Sequence, residues 1–99
     1  MTNKEIAKAF ANGATKGKSN SMFIDGNTIY SYSYHFPIAR RIEDRAIVFN
    51  IDKYSRTTST HQGQVKRALE CEGYKFYDSN TDLIIAYLVD FNKEVLLCL

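Results

Sequence analysis

The chain has 99 residues, of which 44% are apolar and 24% charged, and its formal net charge is +2. This length indicates a single domain, because a second hydrophobic core needs more residues. No apolar run reaches the roughly 18 residues of a membrane span, and the polar N-terminus differs from a signal peptide, so we expect a cytoplasmic protein.

The first predicted element is a helix over about residues 3–12. Thr2 and Glu5 have the spacing of a capping box, in which each side chain binds a free backbone N–H at the helix start. Gly13 is placed to end the helix. Residues 13–21 follow as a polar, basic loop, whose glycine spacing is one residue short of a phosphate-binding P-loop.

A hairpin is predicted next, with strands on either side of an Asp25-Gly26 turn. From residue 29 onward, aromatic and small residues alternate strictly, which indicates a strand with two distinct faces. One face would carry Tyr30, Tyr32, Tyr34 and Phe36, and the other Ile29, Ser31, Ser33 and His35. Pro37 would bend the chain or lie at a sheet edge.

Two more strands, about 38–42 and 46–51, complete an antiparallel meander. A second helix is predicted over about 60–72, with Ser59 as its N-cap and Gln62 in the capping-box position. His61 lies four residues before Val65 and therefore points along the buried stripe of this helix. Gln62, Lys66 and Arg67 are expected on its outer side.

The last quarter of the chain begins with a predicted short strand over 74–77. Residues 83–91 fit a helix better than the first arm of a hairpin, and residues 95–99 read as a final strand. The pattern as a whole predicts an α+β fold, a small antiparallel sheet of four to six strands with two or three helices packed on one face.

The two cysteines, Cys71 and Cys98, are too few for a disulfide scaffold. Neither has a nearby histidine at metal-ligand spacing, so we expect no metal site and no cofactor. Both are interpreted as small core residues.

The tyrosine row is the most unusual local feature. Aromatic rings on a sheet face, flanked by basic residues, are typical of single-stranded nucleic-acid binding. Rows of this kind are also ordinary core material, which is the favoured interpretation. The candidate binding residues are Tyr30, Tyr32, Tyr34, Arg40, Arg41, Arg45, Lys53, Arg56, Lys66 and Arg67.

Charge is divided unevenly along the chain. Residues 1–67 contain eleven Lys and Arg against five Asp and Glu, a balance of +6, whereas residues 68–99 contain two against six, a balance of −4. A basic portion of this size is compatible with a phosphate surface. Solvation of the fold, or attraction between the two portions, is the simpler interpretation.

The start of the second helix is a candidate anion site. Thr57, Thr58 and Ser59 offer hydroxyls and free amides, and helix N-termini attract anions. The alternative is that these residues only cap the helix.

No spacing indicates a catalytic site, and we expect a protein without enzymatic activity. The weaker alternative is a small nuclease in which His35 and His61 act as an acid and base pair.

The segment from Asn27 to Ala39, together with Phe49-Asn50 and the run from Tyr54 to Gln62, resembles a small domain of unknown function found in bacteriophage and archaeal or archaeal-virus proteins. The resemblance covers about residues 22–70. It implies a phage accessory protein that binds a host protein or nucleoprotein complex, plausibly inhibiting a nucleic-acid-handling or CRISPR-type defence complex. Direct DNA or RNA binding is the alternative function, and the choice between monomer and homodimer is left open.

Overall fold

The computed structural model describes residues 1–43, 45–53 and 55–86. This part of the chain contains two helices and six strands, five of which lie between the helices, and residues 81–86 form a further helical segment, α3. The elements are α1 (Asn3–Ala11), β1 (Lys16–Lys18), β2 (Met22–Asp25), β3 (Thr28–Ser31), β4 (Pro37–Glu43), β5 (Ala46–Asn50), α2 (Arg56–Cys71) and β6 (Lys75–Ser79).

The six strands form one sheet in the order β1-β2-β3-β4-β5-β6. The first four pairings are antiparallel, as predicted, and the α+β class is confirmed. The strand β6 instead pairs with β5 in parallel, because α2 connects the two and returns the chain to the same end of the sheet. Residues 16–18, predicted as loop, form the edge strand β1.

The main core lies between the sheet and the pair α1 and α2. Side chains of both helices and of the central strands are almost fully buried there. The largest of them are Ile6, Phe10, Met22, Ile29, Ile38, Ile47, Val65 and Leu69. The predicted capping box of α1 is present, since Glu5 N donates to Thr2 Oγ1 and Thr2 N donates to Glu5 Oε1.

The helix α3 begins beside the end of β5. Asn50 is fully buried and its Nδ2 donates to the carbonyl of Pro37 and to Thr81 Oγ1, at 2.8 and 2.9 Å. Leu83 and Ile84 line a cavity together with Arg40, Val48 and Tyr77. Because side chains alternate between the two faces of a sheet, these three strand residues lie on the face opposite to α1 and α2. The helix preferred for residues 83–91 is therefore present as far as residue 86, and the remainder, like the predicted strand 95–99, lies outside the described residues.

Two predicted positions on α2 are wrong. Cys71 is exposed rather than buried, because it lies about 200° around the helix from Leu69. Gln62 is buried rather than outward, and its Nε2 donates to the carbonyls of Asn50 and Asp52 at the end of β5. Cys98 lies outside the described residues. Within the described ranges, no helix combines the length and hydrophobicity that a membrane crossing requires.

Candidate functional site

The predicted tyrosine strand ends earlier than its alternation indicates. β3 stops at Ser31, and Tyr32 has a φ of 66°, a left-handed conformation that interrupts the strand. Ser31 N donates to the carbonyl of Phe36, which closes a loop over residues 32–35. We call residues 32–35 the tyrosine loop.

The three tyrosines consequently do not form one row. Tyr30 is 6% exposed and stacks on Phe23, with ring centroids 4.9 Å apart. Tyr34 is 59% exposed and meets both rings edge-on, while its hydroxyl donates to Asp25 at 2.7 Å. Tyr32 is 61% exposed and lies against His61, at 5.5 Å between ring centroids. The core interpretation thus describes Tyr30, whereas the other two tyrosines are surface residues.

His61 belongs to a buried polar cluster, and its predicted direction along the buried stripe is confirmed. Its Nδ1 lies 2.8 Å from Ser31 Oγ, and its Nε2 lies 3.2 Å from Ser21 Oγ. Ser21 in turn donates to Asn3 Oδ1 at 3.2 Å. Burial lowers the pKa of His61, which favours the neutral ring. The cluster joins α2 to β3 and to the start of α1.

A small cavity opens beside this cluster. Its volume is about 180 Å³, and it is lined by Ser31, Tyr32, Ser33, His35, Phe36 and Thr58. The tyrosine loop and the start of α2 both line this cavity, so these two segments, which are separate in sequence, form one site. His35 is exposed on the loop, whereas His61 is buried behind Ser31.

The start of α2 differs from its prediction. The helix begins at Arg56, and Ser55 is the N-cap, since its Oγ accepts from Thr58 N at 3.1 Å. Thr57 and Ser59 therefore lie inside the first turn, and the predicted Ser59 cap is wrong. The helix therefore begins four residues before its predicted start at about residue 60. The Ser55 cap and the burial of Thr58 stabilise this additional turn.

Three of the arginines predicted to flank the tyrosines donate hydrogen bonds within the fold. Arg40 is 7% exposed and donates to Thr28 Oγ1. Arg41 donates to the carbonyls of Phe10, Ala14 and Gly26, and burial lowers its pKa. Arg45 donates to the carbonyl of Glu72 and forms an ion pair with its carboxylate at 3.7 Å.

The remaining basic candidates lie in different places. Lys53 and Lys66 line a cavity of about 230 Å³ together with Ser59, beside the end of β5. Arg67 lies on the other side of α2, facing α1. Arg56 is exposed and is the first residue of α2. The structure therefore brings together Tyr32, the tyrosine loop and the helix start, but not the whole basic set.

Sequence reasoning missed the role of Ser31. The same alternation that predicted the tyrosine face places Ser31 on the face of Ile29, which is fully buried. A hydroxyl on a buried face needs a hydrogen-bond partner, and this was the available signal for the cluster with His61. Among the described residues, no group of three or more His, Cys, Asp or Glu could hold a metal ion.

Fold and site define a small α+β domain with a tyrosine-bearing loop packed on a helix start. Residues 3–81 match the family of unknown function DUF8033, and the chain belongs to this family. The predicted resemblance to a domain of unknown function is confirmed at this level, over a longer stretch than residues 22–70. No curated protein and no solved structure matches the chain.

Proposed function

We propose that this chain is a non-enzymatic binding protein that docks a partner macromolecule on the tyrosine loop and the start of α2. The observation that carries the proposal is the exposure of Tyr32 and Tyr34, 61% and 59%, on the two sides of one short loop. Tyrosine is enriched at binding hot spots because it supplies a large amphipathic contact area with few rotatable bonds.

The loop is held in place before any partner binds. Tyr32 N donates to the carbonyl of Ser21 at 2.8 Å, and the Tyr34 hydroxyl is bonded to Asp25. The backbone N–H of His35 donates to Ser33 Oγ at 3.2 Å. Side chains and backbone ordered in the free protein lose less entropy on association, so this arrangement favours binding.

The partner class that we propose is a host protein or nucleoprotein complex. The sequence resemblance to bacteriophage and archaeal-virus domains supports it, and suggests inhibition of a nucleic-acid-handling or defence complex. The structure adds a physical argument for protein contact. Arg40 is buried and Arg41 binds three backbone carbonyls, so neither guanidinium is available to contact phosphates.

The experiment compares capture of host proteins by the wild-type chain and by a Tyr32→Ala/Tyr34→Ala variant. Tyr77→Ala is the matched control, because Tyr77 is also exposed but lies on β6. We expect one partner to be retained by the wild type and the control and lost by the double variant, with circular dichroism showing that all three are folded. Equal capture by the double variant would overturn the proposal.

Direct nucleic-acid binding is the alternative. It is favoured by exposed Arg56 at the start of α2, the helix end whose Thr58 lines the same cavity as the tyrosine loop. Fluorescence anisotropy with labelled single-stranded DNA and RNA tests it at low and at physiological salt. Phosphate contacts release counterions, so binding through them weakens steeply as salt increases. Tight, salt-sensitive binding that Arg56→Gln weakens would replace the protein-partner proposal with this one.

A further inference from the structure

A groove runs between α1 and α2 on the side of the helices that faces away from the sheet. The apolar stripes of both helices are buried against the strands, which leaves their outer flanks side by side. The groove has a volume of about 440 Å³ and is lined by Lys4, Lys8, Gln64, Arg67, Ala68 and Cys71, with Glu72 at one end. This volume lies within the range of small-ligand pockets.

The groove carries three cations that form no ion pair with a carboxylate in the part of the chain that the structure describes. Lys4 and Lys8 lie one turn apart on α1, and Arg67 faces them from α2. The one carboxylate of the lining, Glu72, is paired with Arg45 outside the groove.

Helix stability accounts for Lys8, which lies in the last turn of α1 where the helix dipole favours a cation, but it does not account for Lys4 beside it. Like charges four residues apart destabilise a helix. Lys4 also lies in the first turn of α1, where the helix dipole disfavours positive charge. A bound anionic partner would compensate both effects.

The floor of the groove is apolar. Ala68 is half-buried and Cys71 exposed, and the aliphatic stems of the basic side chains extend over such surfaces. A complementary ligand therefore needs several carboxylates together with apolar side chains.

We propose that the groove between α1 and α2 binds an acidic peptide segment of a partner protein. Such a segment supplies carboxylates to Lys4, Lys8 and Arg67 and apolar side chains to the floor. A nucleic acid brings anions without aliphatic side chains, and a fatty acid brings a single carboxylate for three cations. The proposal goes beyond the docking function of the tyrosine loop, because the groove involves different residues.

The experiment uses the full chain with Cys98→Ser, so that Cys71 is the single thiol. The probe is a fluorescein-labelled synthetic peptide of alternating Glu and Leu. The control peptide has Lys in place of every Glu. We expect saturable binding of the acidic peptide by anisotropy, weaker binding at high salt, and protection of Cys71 from a thiol reagent. The Lys peptide should neither bind nor protect.

Charge variants then place the binding site. Lys8→Glu/Arg67→Glu should weaken binding of the acidic peptide by about tenfold or more. The milder variant Lys8→Gln/Arg67→Gln removes two positive charges without adding negative ones. It should weaken binding of the acidic peptide to a smaller extent. Lys75→Glu is the matched control, since Lys75 is an exposed lysine on β6, and should leave the affinity unchanged.

Unchanged affinity in both groove variants would overturn the proposal, as would protection of Cys71 by a single-stranded oligonucleotide but not by the acidic peptide. Tyr32→Ala/Tyr34→Ala should bind the acidic peptide as the wild type does. Failure of the groove proposal is thereby distinguishable from failure of the tyrosine-loop proposal.

Discussion

Two histidines show how burial changes the chemistry of a single residue. His35 is exposed on the tyrosine loop, whereas His61 is 2% exposed, with serine hydroxyls next to both ring nitrogens. Removal of water raises the free energy of the charged ring and lowers the pKa of His61 below its ordinary value of 6.5. The neutral ring is therefore part of the folded structure.

The pH dependence of stability follows from this shift. The unfolded chain takes up a proton at His61 at a higher pH than the folded chain, so the free energy of unfolding is highest above pH 6.5 and falls as pH decreases below it. We expect urea unfolding to show this loss, at most about 1.4 kcal/mol per pH unit. His61→Gln should flatten the dependence in this pH window.

His35→Gln is the control for this prediction, because it replaces the histidine of the exposed tyrosine loop and leaves the buried cluster around His61 intact. An equally steep dependence in the His61→Gln variant would show that another group is responsible.

At the scale of elements, α2 shows why a run of candidate caps is difficult to resolve from sequence. Ser55, Thr57, Thr58, Ser59 and Thr60 can all accept a hydrogen bond from a helix N–H. Burial of Thr58 and the bond from Thr58 N select Ser55. Sequence spacing alone favoured Ser59, because Gln62 fits a capping box; Gln62 instead bonds to β5.

The cap assignment predicts different effects for two serines of the same segment. Ser55→Ala should lower the free energy of unfolding by about 1 kcal/mol, since Thr58 N loses its acceptor. Ser59→Ala should change it by less than about 0.5 kcal/mol. Urea unfolding of the two variants measures the difference, and the reverse order would restore Ser59 as the cap.

The strands show the same division between local and distant causes. Alternation correctly predicted β3 and the hairpin with β2, but it continues through residues 32–36, where no strand exists. The backbone N–H of Tyr32 bonds to Ser21, and that of Ser31 to Phe36, so the chain leaves the sheet. Backbone hydrogen bonds between segments of the chain, rather than the local alternation of side chains, thus determine where β3 ends.

At the scale of the whole molecule, Arg41 connects parts that are far apart in the chain. It lies on β4, stacks over the Phe10 ring at 4.3 Å, and binds carbonyls at the end of α1 and in the β2–β3 turn. A planar guanidinium with five N–H donors can serve three carbonyls at once, whereas a lysine ammonium lacks this geometry. The residue is a structural cross-link rather than part of a free basic surface.

Arg41→Lys should consequently destabilise the fold by about 2 kcal/mol, the range for hydrogen bonds to a charged group. Thermal or urea unfolding measures this, with Arg56→Lys as the control, since Arg56 is exposed. Unchanged stability combined with lost nucleic-acid binding would contradict the structural role and support the original assignment of Arg41 to a binding surface.

The sequence by itself determined the α+β class, the meander, the capping box of α1 and the buried direction of His61, because each depends on periodicity or spacing within a few residues. Tertiary structure decided the parallel pairing of β6, the engagement of Arg40 and Arg41 within the fold, and the meeting of the tyrosine loop with the start of α2. These features depend on which distant segments pack together, and a side chain's exposure follows from that packing rather than from its neighbours in the chain. The net charge of +2 is thus less informative than the location of the individual cations, of which Lys4, Lys8 and Arg67 share one groove.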